Sequence, residues 1–225
     1  MRLLVTGASS GIGRAVAEAM AGDAELYLFA RRADLLSEVA EATGGVPVVG
    51  DVGNIEDCRK LVAAAVGESE LCLVNAAGSA AFGSFHELAP DALHDQIRSN
   101  LVGTINACHA AIPEMLRVGK GQIVNVLSIA ARHVFPGAAA YAAAKAGALM
   151  FTQVLNAEYR RLGVRCTAVL PGSVDTPIWE GQGFVPERGD MLQPEAVAEA
   201  IRDLLLMPRD RSVDEVVLMP PKGVL

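Results

Sequence analysis

Tyr141 and Lys145 stand four residues apart in the segment Tyr141-Ala-Ala-Ala-Lys145. At this spacing two side chains share one face of a helix, so the lysine ammonium group would lie near the phenol. A nearby positive charge favours the phenolate, and we therefore expect Lys145 to lower the pKa of Tyr141. A tyrosine with a lowered pKa can serve as a general acid or base at neutral pH.

A glycine-rich turn near the start of the chain would complement such an acid. The segment Thr6-Gly-Ala-Ser-Ser-Gly-Ile-Gly13 follows an apolar run and precedes a helical pattern. Turns of this kind place backbone N–H groups at a helix N-terminus, where they bind the pyrophosphate of a dinucleotide. Together the turn and the Tyr–Lys pair predict oxidation and reduction between a carbonyl and an alcohol on a nicotinamide cofactor.

Short apolar runs alternate with longer helical patterns along the chain. The predicted strands are Arg2–Thr6, Glu25–Ala30, Val46–Gly50, Leu71–Val74, Gln122–Leu127, Val164–Leu170 and Glu215–Met219. The predicted helices lie at about 14–19, 33–42, 54–66, 91–117, 139–161 and 194–206. Because the strands are almost continuously apolar, both faces of the sheet must be covered. We expect an α/β fold, a doubly wound parallel sheet (Rossmann-like) of about seven strands with helices on both faces, formed by 1–225 as one domain.

The glycines and polar residues of interest follow the predicted strands. Gly7 follows the first, Asp51 the third, Asn75 the fourth, Ser128 the fifth and Pro171-Gly172 the sixth. In a doubly wound sheet, ligands bind beyond the carboxyl ends of the strands. The pattern therefore predicts one site at that end of the sheet.

In this order and spacing the motifs resemble the short-chain dehydrogenase/reductase family, in its compact single-domain branch. The resemblance runs from about Arg2 to Gly172, and the TGxxxGxG spacing is that of the compact branch. The segments that carry it are Thr6 to Gly13, Asp51-Val52, Asn75-Ala-Ala-Gly78, Asn100, Ser128, Tyr141, Lys145 and Pro171-Gly172. One departure is Ala76, which stands where the family's NNAG element has its second asparagine.

The resemblance implies a catalytic set of Asn100, Ser128, Tyr141 and Lys145. Tyr141 would be the acid or base, Ser128 would donate to the substrate oxygen, and Lys145 would also bond the nicotinamide ribose. Asn100 would position a water that returns a proton to Lys145. The alternatives are a turn or capping role for Ser128, a packing role for Asn100 and a solvated Tyr–Lys pair.

Arg31 and Arg32 follow the second predicted strand, where a dinucleotide's adenosine ribose would lie. No Asp or Glu is present there to accept a hydrogen bond from a free 2′-hydroxyl, whereas guanidinium groups suit a 2′-phosphate. The pattern favours NADP(H) over NAD(H). The alternative is that both arginines only solvate the helix entrance, since Ser10 occupies the place of a second basic residue found in some such turns.

Further cofactor contacts follow from the resemblance: Asp51 would face the adenine amine, and Thr176 the nicotinamide carboxamide. A structural role for Asn75 is at least equally supported. The expected cofactor residues are Gly7, Ser9, Ser10, Gly11, Ile12, Gly13, Arg31, Arg32, Asp51, Val52, Asn75, Ala76, Ala77, Gly78, Tyr141, Lys145, Pro171, Gly172, Val174 and Thr176.

The substrate side is predicted less specifically. The segment after Gly172 is apolar, which favours a small or hydrophobic carbonyl compound. The expected substrate contacts are Ser128, His133, Phe135, Tyr141 and Trp179. Two alternatives stay open: a 3-oxoacyl carrier-protein substrate, or a 3-hydroxy acid as in the subgroup that the segment Val213 to Pro221 resembles. A carboxylate would need Arg132 or His133 as a partner.

The composition excludes several function classes. The chain has 225 residues, 52% of them apolar, and a formal charge of −7, so it lacks the basic clusters that nucleic acids or anionic membranes require. The four cysteines have no metal-ligand spacing and are expected to be buried thiols, and no metal site is predicted. No signal peptide or membrane span is apparent, which favours a cytoplasmic protein.

Two further expectations concern assembly and activity. The predicted helix at 139–161 is uncharged on the face of Ala143, Gly147, Met150 and Val154, and the preceding helix is apolar on nearly every side. Faces of this kind need cover, which predicts a homo-oligomer, a tetramer by resemblance or a dimer. A different class of function, a nucleotide-binding sensor or scaffold without turnover, stays open as well.

Overall fold

A computed structural model of the chain describes residues 1–224. Its strands are β1 (Arg2–Thr6), β2 (Glu25–Ala30), β3 (Val46–Val49), β4 (Leu71–Asn75), β5 (Gly121–Val126), β6 (Val164–Pro171) and β7 (Glu215–Leu218). Its helices are α1 (Gly11–Ala19), α2 (Ala33–Thr43), α3 (Ile55–Ala64), α4 (Pro90–Ile97), α5 (Gly103–Val118), α6 (Ala139–Tyr159) and α7 (Pro194–Leu206). These bounds confirm the predicted elements except between 91 and 117.

The strands form one parallel sheet in the order β3-β2-β1-β4-β5-β6-β7. The strand order reverses between β1 and β4, which is where a doubly wound sheet opens a crevice for a ligand. Helices α1, α2 and α7 cover one face and α3, α5 and α6 the other, each over a cluster of buried apolar side chains. The doubly wound, Rossmann-like fold is thus confirmed.

The stretch from 91 to 117 is interrupted rather than being one helix. Helix α4 ends at Ile97, a π-helical turn spans Arg98–Val102, and α5 then begins at Gly103. Asn100 lies in this turn, where its Nδ2 atom donates to the Gln96 carbonyl at 2.9 Å. The π turn is the physical reason for the difference, since sequence periodicity does not reveal a single widened turn.

The four cysteines are buried and free, as expected. Within residues 1–224, no His, Cys, Asp and Glu side chains come together in a group that would hold a metal ion. None of the helices described there combines the length and hydropathy needed to cross a bilayer.

Candidate active site

The carboxyl ends of the strands open into two adjoining pockets. The first, of about 410 Å³, is lined by the glycine-rich turn, Arg31, Arg32 and residues 50–52 and 76–80, and we call it the polar cleft. The second, of about 590 Å³, is lined by residues 127–130, 135–138 and 171–174 together with several aromatic rings, and we call it the apolar pocket. Five residues line both: Ile12, Leu127, Tyr141, Thr176 and Ile178.

The glycine-rich turn brings the start of α1 to the polar cleft. Gly7 has a φ of +71°, and a Cβ atom on it would lie 2.7 Å from the Ala77 amide nitrogen. Ser10 precedes the helix, but its side chain caps no N–H group, and the first turn contains no acidic residue. The first amides of α1 therefore remain able to bind an anionic group, as the motif predicts.

Gly13 has a different role from the one expected. It is buried and lines neither pocket, and a Cβ atom there would collide with the Gly7 carbonyl oxygen. Because Gly13 has no side chain, helix α1 can pack closely against the glycine-rich turn. The missing side chain does not enlarge the space available to a phosphate group.

The two arginines at the polar cleft are arranged differently. The Nη2 atom of Arg32 donates to the hydroxyl of Ser10 at 2.6 Å and to that of Ser9 at 3.1 Å. Arg31 is exposed and makes no side-chain hydrogen bond or ion pair with any other residue in 1–224. The cleft thus has one cation braced against the glycine-rich turn and a second at its rim.

Asp51 and Asn75 are both engaged within the chain. The Asp51 carboxylate accepts from Arg98 Nη2 at 3.0 Å and from the Gly53 amide at 2.8 Å, and the residue also lines the polar cleft. Asn75 is buried and lines neither pocket, which supports the structural role that the sequence left open.

Tyr141 and Lys145 lie on the first turns of α6, as their spacing predicts. Lys145 is 6% exposed, its Nζ atom donates to the Val126 carbonyl at 2.9 Å, and the same atom lies 5.6 Å from the Tyr141 ring centroid. Burial lowers the pKa of Lys145 to about 8. The lysine therefore remains mostly protonated at neutral pH, beside the phenol.

The pKa of Tyr141 shifts in the opposite direction from the expectation. Burial raises it to about 12, and a hydrogen bond with Ser128 offsets only part of this effect. The ammonium group of Lys145 donates to the Val126 carbonyl. Tyr141 is consequently a protonated phenol at neutral pH.

Ser128 caps a turn and also lines the apolar pocket. Its hydroxyl accepts from the Ala130 amide at 3.1 Å, which caps the 3₁₀ turn Ile129–Ala131. The same side chain lines the apolar pocket beside Tyr141. A capping bond therefore fixes the hydroxyl at the pocket wall.

Asn100 is held with one atom unpartnered. Its Nδ2 atom donates to the carbonyls of Ser79 and Gln96, at 2.7 and 2.9 Å, while its buried Oδ1 atom has no hydrogen-bond partner within 1–224. A Cβ atom on Gly78 would contact this oxygen and lie 3.9 Å from Lys145 Nζ. The free acceptor of Asn100 and the ammonium group of Lys145 thus face the space beside Gly78.

A buried polar chain ties the sheet to the helix that carries the Tyr–Lys pair. Asn75 Nδ2 donates to Asn125 Oδ1 at 2.9 Å, and Asn125 Nδ2 donates to the Thr152 hydroxyl at 2.8 Å. Asn75 and Asn125 are paired in the register of β4 and β5. Sequence reasoning missed Asn125. The available signal was an asparagine near the end of an apolar strand, as with Asn75.

The apolar pocket contains most of the expected substrate residues and several unexpected ones. Ser128, Phe135, Tyr141 and Trp179 line it, whereas His133 is exposed and lines neither pocket. Sequence reasoning missed Phe82 in the apolar pocket and Gln182 in the polar cleft, since both lie in irregular segments without a motif.

Comparisons with known proteins agree with this geometry. A sequence profile of short chain dehydrogenases matches residues 2–183. An uncharacterized oxidoreductase of Staphylococcus epidermidis is 33% identical over 223 residues, which cover 96% of each chain. An alcohol dehydrogenase from the archaeon Thermococcus sibiricus, complexed with 5-hydroxy-NADP, superposes with a TM-score of 0.86 at 28% identity and covers 99% of this chain and 97% of its own.

A variant of actinorhodin polyketide ketoreductase with NADPH superposes equally well. Its TM-score is 0.86 at 29% identity, over 97% of this chain and 95% of its own. The profile match spans most of the sequence, and the curated relative matches nearly end to end. This chain therefore belongs to the short-chain dehydrogenase family and is an oxidoreductase of that family.

Proposed function

We propose that this protein is an NADP(H)-dependent oxidoreductase that interconverts a carbonyl compound and a primary or secondary alcohol, with Tyr141 as acid and base. One observation carries the proposal. Tyr141 lines both the polar cleft and the apolar pocket, on the same helix as the buried Lys145. A phenol placed at that junction can exchange a proton with a substrate oxygen while a cofactor lies on the other side.

The polar cleft fits a dinucleotide phosphate. The open amides at the start of α1 would hold the pyrophosphate, and Arg31 and Arg32 would hold a 2′-phosphate on the adenosine ribose. NADP forms accompany the archaeal alcohol dehydrogenase and the polyketide ketoreductase, which supports this choice of cofactor. A bound nicotinamide supplies hydride to a carbonyl carbon or accepts it from an alcohol.

The charges at the junction support a proton donor. Tyr141 has a raised pKa of about 12 and so retains its proton until the carbonyl oxygen gains negative charge. The ammonium group of Lys145, 5.6 Å from the ring, would then stabilise the phenolate that forms. The Ser128 hydroxyl, fixed by its capping bond, would donate to the same substrate oxygen.

Asn100 would help return the proton. Its unpartnered Oδ1 atom and the ammonium group of Lys145 face one space beside Gly78. A water there would accept from Lys145 and donate to Asn100, which gives Lys145 a path to exchange its proton with solvent.

An assay of NADPH oxidation against a panel of aldehydes and ketones tests the proposal. We expect turnover with at least one uncharged carbonyl compound and a lower KM for NADPH than for NADH. Binding of NADPH without any turnover would instead identify a nucleotide-binding sensor or scaffold. Turnover with an equal or lower KM for NADH would contradict the cofactor assignment.

A further inference from the structure

The apolar pocket contains no charged side chain. Within the described residues, its polar side chains are the hydroxyls of Ser84, Ser128, Tyr141, Ser173 and Thr176. The pocket volume of about 590 Å³ lies within the range of small-molecule sites. A charged group on a ligand would have to leave water here without an ionic partner, which is costly.

Three aromatic rings form a continuous wall at the reacting hydroxyl. The ring of Phe82 lies 5.7 Å from that of Tyr141 in an edge-to-face arrangement and 5.5 Å from that of Trp179. The indole nitrogen of Trp179 donates to the Val174 carbonyl at 2.9 Å, which fixes the ring. Phe184 lines the mouth of the pocket and is 67% exposed. This wall offers flat apolar surface from the mouth to the phenol.

Gln182 fixes the middle ring of that wall. Its Oε1 atom accepts from the Phe82 amide at 3.0 Å. Its Nε2 atom donates to the Ala80 and Ile178 carbonyls, at 3.0 and 3.1 Å. The bonds of Gln182 therefore tie the segment after β4, which contains Phe82, to the segment after β6, although the two are distant in sequence.

The cations in the flanking segments are already neutralised. Arg132 donates to Glu215 at 2.6 Å and Lys222 to Asp190 at 2.8 Å, and Arg188 pairs with Asp175. His133, the remaining basic candidate from the sequence, is exposed outside the pocket. A substrate carboxylate would thus have to displace an existing ion pair to find a partner.

We propose that the substrate is an uncharged carbonyl compound that carries a flat apolar group, above all an aromatic ring, and that Phe82 is a specificity-determining residue. Gln182 is a positioning residue that acts through Phe82. This inference rests on the proposed oxidoreductase function and extends it to the substrate class. On this proposal, substrates that carry a carboxylate, 3-hydroxy acids among them, bind poorly because the pocket lining offers that group no ionic partner.

Two pairs of matched aldehydes test the substrate class, with both NADPH and NADH supplied. The first pair is 4-carboxybenzaldehyde and its methyl ester, which differ in charge. We expect kcat/KM to be at least about 100-fold higher for the ester, because burial of an unpaired carboxylate is strongly unfavourable. The second pair, benzaldehyde and cyclohexanecarbaldehyde, differs in flatness. We expect about a fivefold preference for benzaldehyde, the size of a favourable aromatic contact.

Variants of Phe82 test its role. Phe82→Ala should raise the KM for the methyl ester about tenfold, with kcat within about threefold and the KM for the cofactor unchanged. Phe82→Leu, which keeps apolar volume, should retain the charge preference and lose the preference for the aromatic ring. The matched control is Phe85→Ala, since Phe85 is 65% exposed and lines neither pocket. It should change none of these constants by more than about twofold.

A double-mutant cycle tests whether Gln182 acts through Phe82. Gln182→Ala alone should raise the KM for the methyl ester, but it should add less than about twofold in the Phe82→Ala background. Independent effects of the two substitutions would refute the positioning role. Equal kcat/KM for acid and ester would overturn the substrate class alone, while no oxidation of either cofactor with any aldehyde or ketone would overturn the proposed function with it.

Discussion

The two ends of the sheet both contain buried polar side chains, but they satisfy them in different ways. At the amino end, Arg2 Nη1 donates to Glu114 at 3.0 Å, and Arg117 Nε donates to the same carboxylate at 2.7 Å. Arg2 also donates to the Ala65 and Ser69 carbonyls. At the carboxyl end, by contrast, the buried Lys145 faces no carboxylate and Asn100 keeps an unpartnered oxygen.

The contrast indicates that the amino end of the sheet contributes mainly to stability, whereas the carboxyl end provides groups for chemistry. The charges of Arg2 and Glu114 have partners within the chain. Among residues 1–224, Arg165 Nε is the one buried side-chain atom at the amino end without a hydrogen-bond partner. At the carboxyl end, the free acceptor of Asn100 and the ammonium group of Lys145 would be available to ligands, an arrangement that costs stability. Substitutions at the two ends should therefore change different measurements.

The largest effect is expected from Tyr141→Phe at the carboxyl end. The substitution removes the proton that would be transferred and little else, so turnover should fall at least about 100-fold. NADPH affinity should stay within a few fold and the melting temperature should be nearly unchanged. Steady-state kinetics, fluorescence titration and calorimetry measure these three quantities. A residual rate above about one-hundredth of the unaltered protein would contradict a general-acid role of this size.

Glu114→Gln tests the amino end. Removing the carboxylate leaves the buried Arg2 without its ionic partner, so the free energy of unfolding should fall by about 3 kcal/mol and the melting temperature by about 10 °C. Turnover at 25 °C should be unchanged, because Glu114 lines neither pocket. The control is Glu18→Gln, which disrupts only the exposed pair with Arg14. A Glu114→Gln protein with a lower kcat and unchanged stability would contradict this difference between the two ends.

The Glu114 carboxylate should make the free energy of unfolding depend on pH. Hydrogen bonds from Arg117, and then from Arg2, lower the pKa of Glu114 from 4.5 to about 2 against the opposing effect of burial. A lowered pKa means that the stabilisation is complete above about pH 4.5 and is lost as the pH falls toward 2. Denaturant unfolding at a series of pH values should show a smaller acid-dependent loss for Glu114→Gln than for the unaltered chain. If the free energy of unfolding depended on pH in the same way in both proteins, Glu114 would not be the cause of the loss of stability in acid.

Arg31→Asp tests whether the polar cleft and the apolar pocket, both at the carboxyl end, bind different ligands. A carboxylate at the rim would repel a 2′-phosphate and accept from a free ribose hydroxyl, so the ratio of NADPH to NADH affinity should fall at least about tenfold. The KM for the carbonyl substrate should not change. Arg161→Asp makes the same charge change on an exposed turn away from both pockets and should leave the ratio unaltered. Equal or tighter NADH binding by the unaltered protein would refute the assignment.

Met150→Glu should change the assembly of the protein rather than its turnover. Met150 is 61% exposed on α6, and Val154, Val102, Ile105 and Leu116 are exposed on α6 and beside it. We propose that this face joins subunits in a dimer or tetramer, so a buried charge there should dissociate the assembly while each site keeps its activity within a few fold. Light scattering after size exclusion measures the mass. Val66→Glu, at a site 63% exposed in the loop after α3, is the control. An unaltered protein that is monomeric at micromolar concentration would refute the interface.

Local patterns were sufficient for most of the helices and strands and for the placement of the motifs beyond the carboxyl ends of the strands. The Tyr141/Lys145 spacing fixes a shared helix face, and the glycine-rich turn fixes a strand-to-helix connection. Both features depend on residues within a few positions of one another, so their geometry follows from backbone rules alone. The π turn at Asn100 is the exception along the chain, because one extra residue in a helical turn leaves no periodic signal.

The sequence by itself determined the alternation of strands and helices, the placement of the motifs at the carboxyl ends and the pairing of Tyr141 with Lys145. Only the tertiary structure decided that the pKa of Tyr141 rises, that His133 lies outside the pocket and that Phe82 lies against the phenol. Each of these depends on which distant segments surround a group, as with Gln182, whose bonds to Ala80 and Phe82 span 102 and 100 residues. Burial and contacts between such segments arise from tertiary packing. They cannot be predicted from the spacing of residues along the chain.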